Sequence, residues 1–276
     1  MMQALSAAHP VWFCDVWGVV HDGVHPNTAT IATLRRHRAA GGSVLLLTNS
    51  PRSAAGVARQ LDSIGVPRAA WDGIVTSGDV TRSLMAAVPG GRLHHIGPAR
   101  DLSLFEGLDV RRVALVDADA VICTGLFHDD RETPADYAAT LAAMKARNLT
   151  MICANPDRMV RRGAHLIFCA GALAEAYAAL GGRVEMAGKP FTPIYDLAMA
   201  EAARLRGAAV SKDMVLAIGD GPDTDIKGAA DHGLAVVLVA DGVIDASAGL
   251  AAVAETVKAR VPHARIAATV HHLAWD

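Results

Sequence analysis

Short apolar runs alternate with longer stretches whose apolar residues recur at helical spacing, and this alternation predicts an α/β protein with a mainly parallel sheet. The first unit reads as a strand over 11–16, built on Val11-Trp12-Phe13-Cys14, followed by a glycine-containing loop. A helix over about 28–40 comes next, with Ile31 and Leu34 on one face and Arg35, Arg36 and Arg38 on the other. Gly41-Gly42 stops it, and Val44-Leu45-Leu46-Leu47 carries a strand over 43–48. Ser50-Pro51 reads as a hydroxyl N-cap with proline at the first helical position, opening a helix over 51–64. Thr133-Pro134 and Thr192-Pro193 repeat that signal ahead of helices at 134–147 and 193–206. Strands at 73–76, 214–218, 235–239 and 266–270, with helices at 79–88, 223–232 and 246–260, complete the expected frame.

The segment from about 79 to 186 carries strands of its own, at 92–96, 113–116, 120–123, 149–153 and 165–168. It reads as an inserted domain: 1–78 and 187–276 form one body and 79–186 the other. Composition changes this picture little. Apolar residues make up 52% of the 276 residues and charged residues 20%, enough to bury a sizeable core and to argue against disorder. A net charge of −2 gives no electrostatic reason to expect nucleic acid or an anionic membrane, and no apolar run is long enough to span a bilayer. The first residues lack the pattern of a signal peptide. Cys14, Cys123, Cys153 and Cys169 show no Cys-x-x-Cys spacing and read as buried free thiols, which suits the cytoplasm.

Four stretches carry candidate chemistry. Asp15 follows the first strand and Thr48-Asn49-Ser50 the second. Gly188-Lys189-Pro190 precedes a helix, and Gly219-Asp220-Gly221-Pro222-Asp223-Thr224-Asp225 follows the strand at 214–218. Singly, each is a turn, a cap or a solvated loop. In this order, at strand ends and helix starts, they suit phosphoryl transfer to an aspartate. Asp15 would attack phosphorus, Thr48 would donate to the phosphoryl oxygens, and Lys189 would neutralise nucleophile and phosphate. Asp15, Asp220 and Asp225 would repel one another without a cation, and hard oxygen ligands beside a phosphoryl group point to Mg²⁺. His94-His95 and His271-His272 suggest a metal, but neighbours on a strand face opposite ways, which argues against paired ligation and leaves surface positions as the expectation. Trp275 is expected to pack the last strand against the body.

On these residues, with Asp22-Gly23, Thr76-Ser77-Gly78 and Asn155-Pro156-Asp157, the chain resembles the haloacid dehalogenase (HAD) superfamily over nearly its whole length, and most of all subfamily IIA, the NagD-like and nitrophenylphosphatase-like proteins. The resemblance implies a Rossmann-like HAD core with an inserted α/β cap of the C2 type. It makes Asp15 the nucleophile, Thr48 a phosphate ligand and Lys189 the lysine of the third motif, with Asp220 and Asp225 as metal acids. Asn49, Ser50, Asn155 and Asp157 become substrate-side residues. It implies a small phosphorylated metabolite as substrate and leaves a homodimer open, because C2 caps in the family often take part in dimers.

One position departs from the family pattern Asp-x-Asp-Gly-x: here the stretch reads Asp15-Val16-Trp17-Gly18-Val19. The missing second aspartate is the family's general acid and base, and indole cannot do that work. Its metal contact runs through the backbone carbonyl, so Trp17 still counts as a metal residue. Substrates with good leaving groups, such as aryl or acyl phosphates, are therefore expected. His21, Asp22 and His25 are the substitutes for the lost acid, although each also reads as a solvated loop residue. Two other readings are a phospho-ligand binding protein that has lost turnover and a dehalogenase. The dehalogenases of the superfamily also carry an aromatic residue there but work without the metal acids that this chain keeps.

Overall fold

The computed structural model describes residues 1–162, 165–240, 247 and 249–276. Along the chain run α1 (Met2–Ala8), β1 (Val11–Cys14), α2 (Thr28–Ala39), β2 (Ser43–Thr48), α3 (Ala54–Ile64), β3 (Gly73–Thr76) and α4 (Ser77–Ala86). Next come β4 (Arg92–Ile96), β5 (Arg111–Arg112), β6 (Ala120–Cys123), α5 (Ala138–Ala146), β7 (Thr150–Cys153) and a hairpin of β8 (Met159–Arg162) and β9 (His165–Phe168). The remainder is α6 (Ala170–Ala179), β10 (Arg183–Met186), α7 (Thr192–Arg206), β11 (Val215–Gly219), α8 (Lys227–Asp231), β12 (Ala235–Val239), α9 (Leu250–Arg260) and β13 (Arg265–Val270).

The chain divides into two units: one of Met1–Thr48, Val57–Val75 and Lys189–Asp276, the other of Asn49–Gly56 and Thr76–Gly188. A six-stranded sheet in the order β13-β12-β11-β1-β2-β3 organises the first. β1 lies at its centre, parallel to both β2 and β11, and all four of its residues are buried, as a strand covered on both faces requires. Counted along the chain this is the doubly wound order 3-2-1-4-5-6, whose direction of winding reverses between β1 and β11. The carboxyl ends of those two strands therefore flank the crevice where such sheets hold ligands.

The second unit is built on a five-stranded sheet, β10-β7-β6-β4-β5, again parallel in its pairings. Ile96, Val121, Cys123, Met151 and Cys153 pack with α5 and α6 residues in one cluster, while Leu93, Ala120, Ile122 and Ile152 pack with Met85 and Leu104 in another. The alternation of these residues along each strand shows that both faces of the sheet are covered.

Several expected boundaries shift for identifiable reasons. The helix expected from Ser50-Pro51 begins at Ala54: Ser50 Oγ accepts from the Arg52 amide at 3.3 Å in a tight turn, and Ser53 Oγ accepts from Gly56 N at 3.3 Å. The Asp79 carboxylate takes the Ala54 amide at 3.2 Å, so a side chain from α4 finishes the cap. Thr192 is the first residue of α7, with Phe191 at the cap position. The strand expected at 113–116 is replaced by the two-residue β5 and a 3-10 turn, Leu115–Asp117. Of the helix expected over 246–260, residues 246 and 248 lie outside the described residues. Leu273, rather than Trp275, is fully buried after β13. All four cysteines are buried, and no described helix is long and apolar enough to cross a membrane.

Candidate active site

Two strand ends, one helical turn and one loop-to-helix junction of the first unit supply the charged groups. Asp15 follows β1, Asp220 follows β11, and Asp225 lies one turn on, in the helical turn Pro222–Ile226. Lys189 precedes α7, and all four residues are buried. Its ammonium donates to Asp15 Oδ1 at 2.6 Å and to Asp225 Oδ1 at 2.7 Å. The second Asp225 oxygen accepts from the Gly221 amide and the Thr224 hydroxyl, each at 3.2 Å. One oxygen from each of Asp15, Asp220 and Asp225 lies within 4.8 Å of the others. Thr48, at the end of β2, is buried as well.

Charge is out of balance here. Three carboxylates face one ammonium, and Asp220 Oδ2 is buried without a partner among the described residues. Burial, then the Asp225 charge, pushes the Asp15 carboxyl up, against the pull of Lys189. Asp220 rises for the same first cause, with Asp15 and Asp225 adding to it. Burial would lower the Lys189 ammonium, but the two carboxylates outweigh it and hold the proton firmly. An unpartnered carboxylate oxygen within a triad of hard donors fits a divalent cation, which would relieve the excess negative charge.

The loop after β1 shows what replaces the missing aspartate. Trp17 is half-buried, with its ring lying on Gly23: a Cβ built at Gly23 would stand 2.6 Å from Cζ2 of the indole. His21 meets that ring edge-on at 5.2 Å and is itself buried, which corrects its reading as a solvated loop residue. The Gly23 amide donates to His21 Nδ1 at 2.9 Å, so the neutral ring carries its proton on Nε2, and burial lowers the pKa. Asp22 and His25 are exposed. Asp22 Oδ1 accepts from the Val24 and His25 amides at 2.8 and 2.6 Å, a turn-forming role.

Within the second unit, Asn49 Nδ2 donates to Asp157 Oδ1 at 3.0 Å, and Asn155 Oδ1 accepts from the Asp157 amide at 3.1 Å. A Cβ at Gly188 would meet Asn49 Oδ1 at 2.4 Å and Pro156 Cδ at 2.7 Å, so only glycine lets the chain pass there. Asn49, Asn155 and Asp157 thus form one polar cluster, with Ser50 held in its turn beside Arg52. Sequence reasoning missed the glycines at 18, 23 and 188 as packing positions; a close approach of this kind shows only once the facing side chain is placed.

Residues 12–111 match the family described as haloacid dehalogenase-like hydrolase, and residues 186–273 match the HAD-hydrolase-like family. A solved hydrolase of the haloacid dehalogenase-like family from Brucella suis is 46% identical, covering 98% of each chain with a TM-score of 0.88. This protein belongs to that family. A glycerol phosphate phosphatase from Mycobacterium tuberculosis, solved with magnesium, is 26% identical over 98% of this chain and 76% of its own, with a TM-score of 0.73. A p-nitrophenyl phosphatase from Archaeoglobus fulgidus, 20% identical over 96% and 97% of the two chains with a TM-score of 0.74, shares the fold. Comparison with curated proteins gives no match. The protein described here is thus a HAD-like hydrolase with a Rossmann-like core.

Proposed function

We propose that this HAD-like hydrolase cleaves a small phosphorylated metabolite through an aspartyl phosphate on Asp15, with Mg²⁺ as its metal. The observation that carries the proposal is the Lys189 ammonium held between Asp15 and Asp225, beside the unpartnered oxygen of Asp220. Asp15 supplies the carboxylate that displaces the leaving group. Lys189 favours the ionised form of Asp15 against the effect of burial, and the Thr48 hydroxyl donates to a phosphoryl oxygen. Asp15, Asp220 and Asp225, with the backbone carbonyl of Trp17, would hold the cation. Once bound, it neutralises the phosphoryl group. Residues 79–186 act as the cap, where Asn155 and Asp157, with Asn49 and Ser50, serve the substrate side.

Trp17 sets the character of the reaction. Without a carboxylic acid at that position the leaving group must depart largely unaided, which favours aryl or acyl phosphates. The phosphoenzyme should then break down slowly for want of a base to activate water. The phosphatases among the solved relatives make p-nitrophenyl phosphate the natural probe.

In a rapid-mixing experiment with Mg²⁺, the protein should release a burst of nitrophenol close to one equivalent, followed by a slow steady state. Asp15→Asn should abolish both phases; surviving turnover would remove Asp15 as nucleophile. Trp17→Asp should raise the steady-state rate on the order of 10²-fold. If the parent protein only binds phosphate and Trp17→Asp restores turnover, the chain is a phospho-ligand binding protein that kept its pocket.

A further inference from the structure

The second unit has a winding reversal of its own. Numbered along the chain from β4, its sheet order β5-β4-β6-β7-β10 is 2-1-3-4-5, a doubly wound order whose switch point lies between β4 and β6. Sheets of this order take ligands outside the carboxyl ends of the strands at that point. The ends are held together there: His95 Nε2 bonds Thr124 Oγ1 at 2.9 Å across the two strands. A Cβ at Gly97 would stand 2.0 Å from that hydroxyl, so glycine is needed for the closure.

A cavity of about 770 Å³ opens beside this junction. Its origin is the shortness of β5, which pairs only with Arg92 and Leu93 and leaves the upper half of β4 without a strand on that side. Among its lining residues are His94, His95, Leu102, Arg112, Phe127 and His128, and no acidic side chain lines it. β4 lies two strands from β7, a spacing of about 10 Å, so the cavity is separate from the Asn155–Asp157 cluster.

The chemistry of the lining is specific. Arg112 makes no ion pair among the described residues; its guanidinium lies 5.9 Å from the Phe105 ring. The acids nearby are engaged elsewhere: Asp129 with Arg100, and Glu132 with the Tyr137 hydroxyl and the His128 amide. Asp101 is buried and bonded to Thr124. His94 Nδ1 lies 3.0 Å from the Val113 carbonyl oxygen, which fixes that nitrogen as the donor. The His95 ring stays neutral at pH 7, because burial, then the Arg112 charge, lowers its pKa to about 4. Arg112 is the one permanent charge in the lining, matched by its fork to one carboxylate, while Leu102 and the exposed Phe127 offer apolar surface.

From the switch-point topology, the cavity and the unpaired Arg112, we infer that the second unit holds a second ligand site, for a small organic monocarboxylate with an apolar or aromatic body.

Benzoate is the probe, and the full-length protein is observed by NMR through its histidine rings, which His94→Gln and His95→Gln assign. Benzoate should shift the His94 and His95 resonances saturably. Arg112→Gln should weaken binding at least tenfold, and Phe127→Ala should weaken it several-fold; both residues are exposed, so neither change threatens folding. Inorganic phosphate and chloride should leave these rings unmoved. The inference is overturned by a linear or absent response to benzoate, by unchanged affinity in Arg112→Gln, or by phosphate shifting the same rings more strongly. None of these readouts depends on turnover, so this inference and the phosphatase proposal fail independently.

Discussion

A single methyl group at residue 18 would stand 2.2 Å from Oδ2 of Asp220, the oxygen that has no partner among the described residues. Gly18 also has φ +86°, a backbone region that costs a side chain about 1 kcal/mol or more. Gly18→Ala should therefore displace Asp220 and weaken Mg²⁺ binding, measured by calorimetric titration, on the order of 10- to 100-fold. Unchanged affinity would take Asp220 out of the metal set. Asp15, Lys189, Asp220 and Asp225 could be singled out from the sequence because each follows an apolar strand or opens a helix, so chain order alone suggested their convergence. The Gly18–Asp220 approach could not, since it joins loops about 200 residues apart and depends on a side-chain rotamer. The burial of His21 was hidden too: a histidine beside Asp22-Gly23 reads as solvated until the Trp17 ring is seen against it.

The packing of α1 and α2 on β1 turns on His37. Its ring stacks on Trp12 of β1 at 3.8 Å and 7°, and its Nδ1 lies 2.7 Å from Ser6 Oγ of α1. Burial lowers its pKa from the ordinary imidazole range to about 4. The unfolded chain therefore binds a proton near pH 6.5 that the folded chain refuses until about pH 4. Stability is full above that window and falls as the pH drops through it, by up to about 3 kcal/mol. Urea unfolding midpoints between pH 7 and 4 should show this slope, and His37→Gln should flatten it by about one proton; an unaltered slope would place the titration elsewhere. Much of the element order was readable from apolar periodicity, although α1, β8 and β10 were not read. The start of α3 was not, because proline after serine is equally at home in a tight turn, and the true cap comes from Asp79, 25 residues away. β5 escaped notice for a similar reason: two exposed arginines carry no apolar alternation, and only their backbone pairing with β4 makes them a strand.

The two sheets differ in how the chain assembles them. Every strand of the five-stranded sheet lies between residues 92 and 186, and both its faces carry a hydrophobic cluster drawn almost wholly from the same stretch. Residues 76–188 made alone should unfold in one cooperative transition, with coincident circular dichroism and NMR curves in denaturant. Residues 1–78 made alone should associate instead, because β1 would lack its partner β11. Non-coincident curves for 76–188, or a monomeric folded 1–78, would contradict this account. The central pairing of the six-stranded sheet joins Val11 to Val215. On a ribosome adding ~5–20 residues per second, β1 waits roughly 10–40 s for that partner. Throughout that interval the nascent chain presents a hydrophobic strand with one open edge, the feature that chaperones and aggregation both recognise. The insertion between β3 and β11 thus sets the length of the most vulnerable period in the biosynthesis of this protein.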